Sequence, residues 1–314
     1  YISAFTNVQS VAEGVANGTF TDWTGNPWSM LYRSFMRSIT DNYHIYFFLP
    51  AFLSSFAVVK LCKRYSINPA FSLLIFFSVG TYITYVAAMK QCAAMFFLLM
   101  ALPYAIDKKY VKFYLLVFVA IMFHTHAFMF AIVPLLFEKP WGKVTWVGLG
   151  ITLFAMATYD STLGAFMEYA QSLGAMVAEV EVFDEHQINI LRVLVYWVPA
   201  ILALIFRRRL FSNSTRIENL FVNMSIVSAF ILTIGLVQGA NLYARMAAYF
   251  EIATAIALPW MIKKLFTKQS ARLVTITAGV LYFGYFYYEF AISKNFGNDY
   301  SAISLWEFAL SLFR

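Results

Sequence analysis

Residues 85–137 read YVAAMKQCAAMFFLLMALPYAIDKKYVKFYLLVFVAIMFHTHAFMFAIVPLLF, and the way that stretch divides decides the fold. It is almost wholly apolar, yet Lys90, Gln91, His124 and His126 are set between its hydrophobic runs. Polar side chains in segments bound for lipid are costly and are functional candidates by default. The dozen residues from Lys112 to His124 cover only roughly 18 Å as α-helix, short of the ~30 Å hydrocarbon core of a bilayer. Residues 112–137 are therefore either one long tilted helix or a hairpin of two short helices broken near His124.

Composition sets the context. The chain of 314 residues is 61% hydrophobic and 12% charged, with a mean hydropathy of +0.68. A soluble domain carries about a quarter charged residues, so the expectation is an all-α, polytopic membrane protein. The pI of about 9.2 does not imply nucleic acid, because the basic residues lie in short clusters between apolar runs, as in cytoplasmic membrane loops. Cys62 and Cys92 both lie in or beside apolar segments and offer neither a disulfide framework nor metal-ligand spacing. The chain opens on Tyr1 rather than Met, and a preceding N-terminal piece is expected.

Working outward, residues 1–42 form a polar and aromatic external segment. In it Trp28–Ile39 reads as an amphipathic helix, with Arg33 and Arg37 four apart on one face. The membrane domain is expected over 43–314. Its spans fall at about 43–61, 70–89, 92–106, 144–159, 191–206, 218–238, 246–262 and 272–292, with 112–137 among them. That makes about ten helical segments if 112–137 is a hairpin, followed by a short apolar piece at 301–314. An external loop at 160–190 carries Asp160, Glu168, Glu179, Glu181, Asp184 and Glu185.

Charge placement chooses between the two readings of 112–137. The loops at 60–66, 107–112, 138–143, 207–216 and 263–272 hold 16 of the 23 Lys and Arg residues, and the positive-inside rule puts them in the cytoplasm. All five share one side only if the chain turns back at His124. The opposite face then receives Lys90–Gln91, His124–His126, the polar break from Gln238 through Asn241 to Arg245, and Arg33, Arg37 and Asp41.

Each of these residues has a plainer reading. Lys90 alone could snorkel to the interface. Arg245 could be a structural ion pair to another helix, Glu251 being poorly placed for a pair within its own. His124 alone is more often a hydrogen-bonded structural histidine, and His126 lies about 200° further round a continuous helix. Glu289 reads as interfacial. No third ligand supports a metal site, and no P-loop, nucleophile elbow, zinc-protease or dinucleotide motif is present. No cofactor is expected. Cations and a histidine on an outer face suit different chemistry. Cations can hold a pyrophosphate, and a histidine can take a proton from an attacking hydroxyl.

MKQCAAMFFLLMALPYAIDKKYVKFYLLVFVAIMFHTHAF at 89–128 resembles the core signature of the EpsG family: a basic residue, Gln and small residues, a helix, a Lys-rich turn, a second helix, then Phe-His-x-x-Ala. NLYARMAAYFEIATAIALPWMI at 241–262 is similar to its later block, and NPWSMLYRSFM at 26–36 stands where Glu-Pro-aromatic is usual. Tyr300 fits the closing region. The resemblance implies a Wzy-like polymerase or membrane glycosyltransferase of the GT-C type, in exopolysaccharide, capsule or O-antigen synthesis. It would join polyprenyl-pyrophosphate-linked oligosaccharide repeats on the outer face of the bacterial inner membrane. Expected partners are that lipid-linked donor and acceptor, membrane lipid and a chain-length regulator.

By position the resemblance places Lys90 where the family has Arg, His124 at the Phe-His motif, and Arg245 in the later block. His126 stands where Ser is common, and Asn26 replaces the usual Glu. The implied roles are pyrophosphate binding by Lys90 and Arg245 with Arg33 or Arg37, and His124 as base, with Asp22 and Asp41 as rivals. Gln91, His126, Asn241, Tyr243 and Tyr249 are the further substrate contacts. A flippase for lipid-linked saccharides and a membrane acyltransferase are the alternatives.

Overall fold

The computed structural model describes residues 2–17, 27–159, 161 and 187–293. Those residues are helical almost throughout, without strands. Three short helices come first: α1 (Ile2–Thr6), α2 (Val11–Ala16) and α3 (Pro27–Ile39). The helix expected at 28–39 is therefore present. Asp22, Asn26, Tyr300, the 301–314 piece and nearly all of the acidic loop lie outside the described residues.

The bundle begins with α4 (Tyr43–Tyr65), capped by the Asn42 side chain accepting from the His44 N–H at 2.9 Å. The span expected at 70–89 is interrupted, forming α5 (Pro69–Ser78) and α6 (Thr81–Ala87). Gly80 lies between them at φ +77°, a left-handed conformation that glycine adopts without a Cβ penalty. The break turns Thr81 into the core, where it is buried. Next come α7 (Met89–Ile106) and α8 (Tyr110–Phe123).

At His124 the chain does break. The residue is extended, at φ −151° and ψ 113°, and a 3-10 helix follows over Thr125–Phe137. So long a 3-10 run is uncommon, and it lengthens the second arm of the hairpin, because thirteen residues at about 2.0 Å each span roughly 26 Å against roughly 20 Å as α-helix. Asn223 fastens its far end, donating to the carbonyls of Leu136 at 2.8 Å and Glu138 at 2.7 Å. Such bonds join helices where hydrophobic contrast with lipid is absent.

The remaining elements are α9 (Lys143–Ala157), α10 (Ile190–Ile205), α11 (Arg207–Phe211), α12 (Arg216–Ile234), α13 (Ala240–Leu265), α14 (Lys268–Tyr287) and a π-helical turn at Tyr288–Ile292. Helices α4, α7 and α12 are each long and apolar enough to cross a membrane. The span expected to start at Met246 begins six residues earlier, so Asn241 and Arg245 belong to the first turns of α13 rather than to a loop. Its entry is Gly239, at φ +73°, where an added Cβ would approach the Tyr159 hydroxyl to 2.7 Å.

Helix α13 is the axis of the fold. Every residue from Ala247 to Ile262 is buried, and it packs most extensively on α12. A helix apolar nearly all round belongs inside a bundle. The outer helices instead expose Phe52 and Phe56, Leu115 and Phe118, Ile151 and Phe154, and Val280 and Phe283, as a lipid-facing wall does.

Candidate active site

Helix α13 presents Arg245 and Tyr249 one turn apart on one face. Each is tied to a different part of the opening stretch. Gln91, 1% exposed, donates from Nε2 to the Arg245 carbonyl at 2.6 Å. A carbonyl has two lone pairs, so this bond joins α7 to α13 without opening the helix. It fixes the start of α7, and with it half-buried Lys90, beside Arg245.

The Tyr249 hydroxyl lies 2.6 Å from His124 Nδ1. His124 is buried in the turn between α8 and the 3-10 helix. Because the helix breaks there, His126 can share the same neighbourhood, and the two ring centroids are 5.1 Å apart. Burial first, and then the charges of His126, Arg245 and Lys90, hold the His124 imidazole neutral, with its pKa well below the usual histidine range. Phe123, the preceding residue, stacks on Phe97 at 5.4 Å and meets the edge of Trp28 at 6.0 Å. That contact brings the start of α3 against the same region.

Six residues beyond Arg245, about 9 Å along the helix axis, Glu251 anchors a second polar cluster. Its Oε1 lies 3.4 Å from an Arg192 guanidinium nitrogen, and its Oε2 accepts from Thr81 at 2.7 Å. The Thr81 hydroxyl in turn is 3.0 Å from the Tyr196 hydroxyl. Glu251 thus goes to Arg192 on α10 rather than to Arg245. Glu289 is 1% exposed, and its charge acts on Arg192. Arg192 and Thr81 are not candidates from sequence; for Arg192 the signal available is an ionisable residue opening an apolar run, and nothing in the sequence marks Thr81.

Of the other sequence candidates among the described residues, Asn241 and Tyr243 belong to the first turn of α13, before Arg245, and the rest to α3 and its end. Arg37 forms an ion pair with Asp41 and lies over the Phe5 ring at 5.9 Å, while Asp41 is largely exposed. Arg33 is half-buried on α3. Asn241 is exposed in the first turn of α13, and Tyr243 packs on Tyr159 with ring centroids 6.3 Å apart. Among the described residues, no group of three or more His, Cys, Asp and Glu could hold a metal ion.

The structure thus gathers Lys90, Gln91, His124, His126, Arg245 and Tyr249, drawn from α7, the α8 turn and α13, at helix ends opposite the basic turns. Two cations beside a neutral imidazole can bind a phosphorylated group and exchange hydrogen bonds with it. The sequence profile of the EpsG family matches residues 1–303, nearly the whole chain. No curated protein and no solved structure matches it.

Proposed function

The chain belongs to the EpsG family, and from that premise we propose that it is a membrane glycosyltransferase of exopolysaccharide synthesis. In this reading it joins oligosaccharide repeats carried on a polyprenyl pyrophosphate into a surface polysaccharide. The observation that carries it is the convergence of Lys90, Arg245 and His124, with Gln91 and Tyr249 as the side chains that hold them there. Lys90 and Arg245 take the donor pyrophosphate and stabilise it as it leaves. His124 contacts the reacting groups. The cluster faces the outer side of the inner membrane, because the turns at the other ends of the helices carry most of the Lys and Arg residues.

The test is polymerisation in a defined system. Purified protein in nanodiscs, given one synthetic lipid-linked repeat and nothing else, is expected to yield a ladder of longer glycans. A second reading, a carrier of lipid-linked saccharides, draws on the Arg192–Glu251–Thr81 cluster inside the bundle. A carrier would move the lipid-linked repeat across a vesicle membrane and leave its length unchanged. Acyl transfer to the glycan would sink both readings.

Gln91 supplies a narrower expectation. Gln91→Leu keeps the bulk and removes the bond to Arg245, freeing α7 to shift Lys90. A loss of about 1 Å in placement can cost roughly 100-fold in rate. Polymer yield is expected to fall between tenfold and that figure, with donor KM raised. Normal ladders from Gln91→Leu would mean that the α7–α13 bond does not set the cation spacing.

A further inference from the structure

We propose that Tyr249 is a positioning residue that fixes His124 as its Nε2–H tautomer, making His124 a hydrogen-bond donor to the leaving pyrophosphate rather than the base that deprotonates the acceptor sugar. The assignment to pyrophosphate rests on the glycosyltransferase reading above. The tautomer does not.

The tautomer follows from where the tyrosine proton can go. Tyr249 is 1% exposed, and among the described residues its hydroxyl has one hydrogen-bond partner, His124 Nδ1 at 2.6 Å. A phenol carries one proton, and a buried donor left unmet is costly. If Nδ1 bore a hydrogen and donated it, the phenol proton would need another acceptor nearby. Among the described residues no second partner stands within hydrogen-bond reach of the Tyr249 hydroxyl. The phenol therefore donates and Nδ1 accepts. A neutral imidazole has one donor nitrogen and one acceptor nitrogen, so the remaining hydrogen lies on Nε2.

The surroundings agree with a donor. Burial and the charges of His126, Arg245 and Lys90 disfavour a second proton on the ring. A base in that position would become a third cation beside Arg245 and Lys90 as it worked. A neutral N–H adds a hydrogen bond to the same phosphate oxygens without adding charge, and the bond strengthens as negative charge builds on the leaving group. The acceptor oxygen forms the new glycosidic bond as the sugar–pyrophosphate bond breaks, and the acceptor's proton leaves with the pyrophosphate. Tyr249 and Arg245, one turn apart on α13, then act on one anion, Arg245 directly and Tyr249 through His124.

Nitrogen NMR of protein labelled with 15N-histidine, in nanodiscs without substrate, reads the tautomer directly. There are four histidines to resolve, and His124→Gln assigns the signal. The expected spectrum shows His124 with unprotonated Nδ1 and protonated Nε2, and Tyr249→Phe disturbs it. Protonated Nδ1 in the wild-type protein, or a His124 signal that Tyr249→Phe leaves unchanged, overturns the proposal whatever the reaction is. The polymerisation assay supplies the second arm. Glutamine places an amide N–H near the Nε2 position but cannot act as a base. If His124 is a donor, His124→Gln keeps activity within about tenfold while His124→Phe loses about 100- to 1,000-fold. If it is a base, both substitutions lose about 100- to 10,000-fold. No polymer from the wild-type protein would overturn the pyrophosphate assignment and leave the tautomer standing.

Discussion

Arg245→Ala is expected to cut polymer synthesis by about 100- to 1,000-fold, the range for removing one preorganised charge stabiliser from a leaving group. Several features concentrate the effect on this residue. Its guanidinium can grip a phosphate through two parallel bonds, which the ammonium of Lys90 cannot. Its backbone carbonyl is the point to which Gln91 fastens α7, and that contact survives the substitution. Its charge acts on the His124 ring. The nearest acid along α13, Glu251, goes to Arg192, so Arg245 is not there to satisfy it. Arg245→Lys keeps the charge and loses the fork, and an intermediate defect is expected. The measurement is glycan length and yield from purified protein, with size-exclusion profiles to show that the fold is intact. Wild-type ladders from a well-folded Arg245→Ala protein would remove Arg245 from the site.

Arg192→Leu should have the largest effect on stability. It leaves the Glu251 carboxylate, 1% exposed, held by the Thr81 hydroxyl and with the Glu289 charge acting in the same cluster. Removing one member of a buried ion pair costs about 3–5 kcal/mol, because the other charge stays buried without compensation. Replacing both members with apolar groups is far milder for the same reason, so the double variant Arg192→Leu with Glu251→Leu should recover much of the loss. The readout is the thermal midpoint of purified protein in nanodiscs. A single variant that melts with the wild type, or a double variant worse than the sum of its parts, would show that the pair is not a stabilising unit. The same ion pair also separates the two roles of α13. Its first turns carry the candidate chemistry, and the next turn anchors the helix to α10 and α6.

Much of the site's inventory was legible in the sequence. Lys90, His124 and Arg245 are conspicuous because each interrupts or opens an apolar run. The break at His124 was legible from charge and length together, since only a turn there keeps five basic loops on one side. The amphipathic α3 was legible because its polar residues recur with helical spacing. What the sequence hid is rotation. Helix α13 is apolar nearly all round, so no stripe marks which face meets which neighbour, and nothing in residues 241–262 says that Tyr249 points to His124 or Glu251 to Arg192. The 3-10 winding of Thr125–Phe137 was equally invisible, because its composition suits an α-helix as well.

The sequence by itself therefore determined an all-α membrane chain, the turn at His124 and the residues worth watching, because lipid punishes polar groups wherever they fall and so makes them stand out. Only the tertiary structure decided the partners: Gln91 to the Arg245 carbonyl, Tyr249 to His124, Arg192 to Glu251. Those contacts join residues 154, 125 and 59 positions apart, and they depend on how each helix is rotated about its own axis. That rotation is set by packing on every side at once.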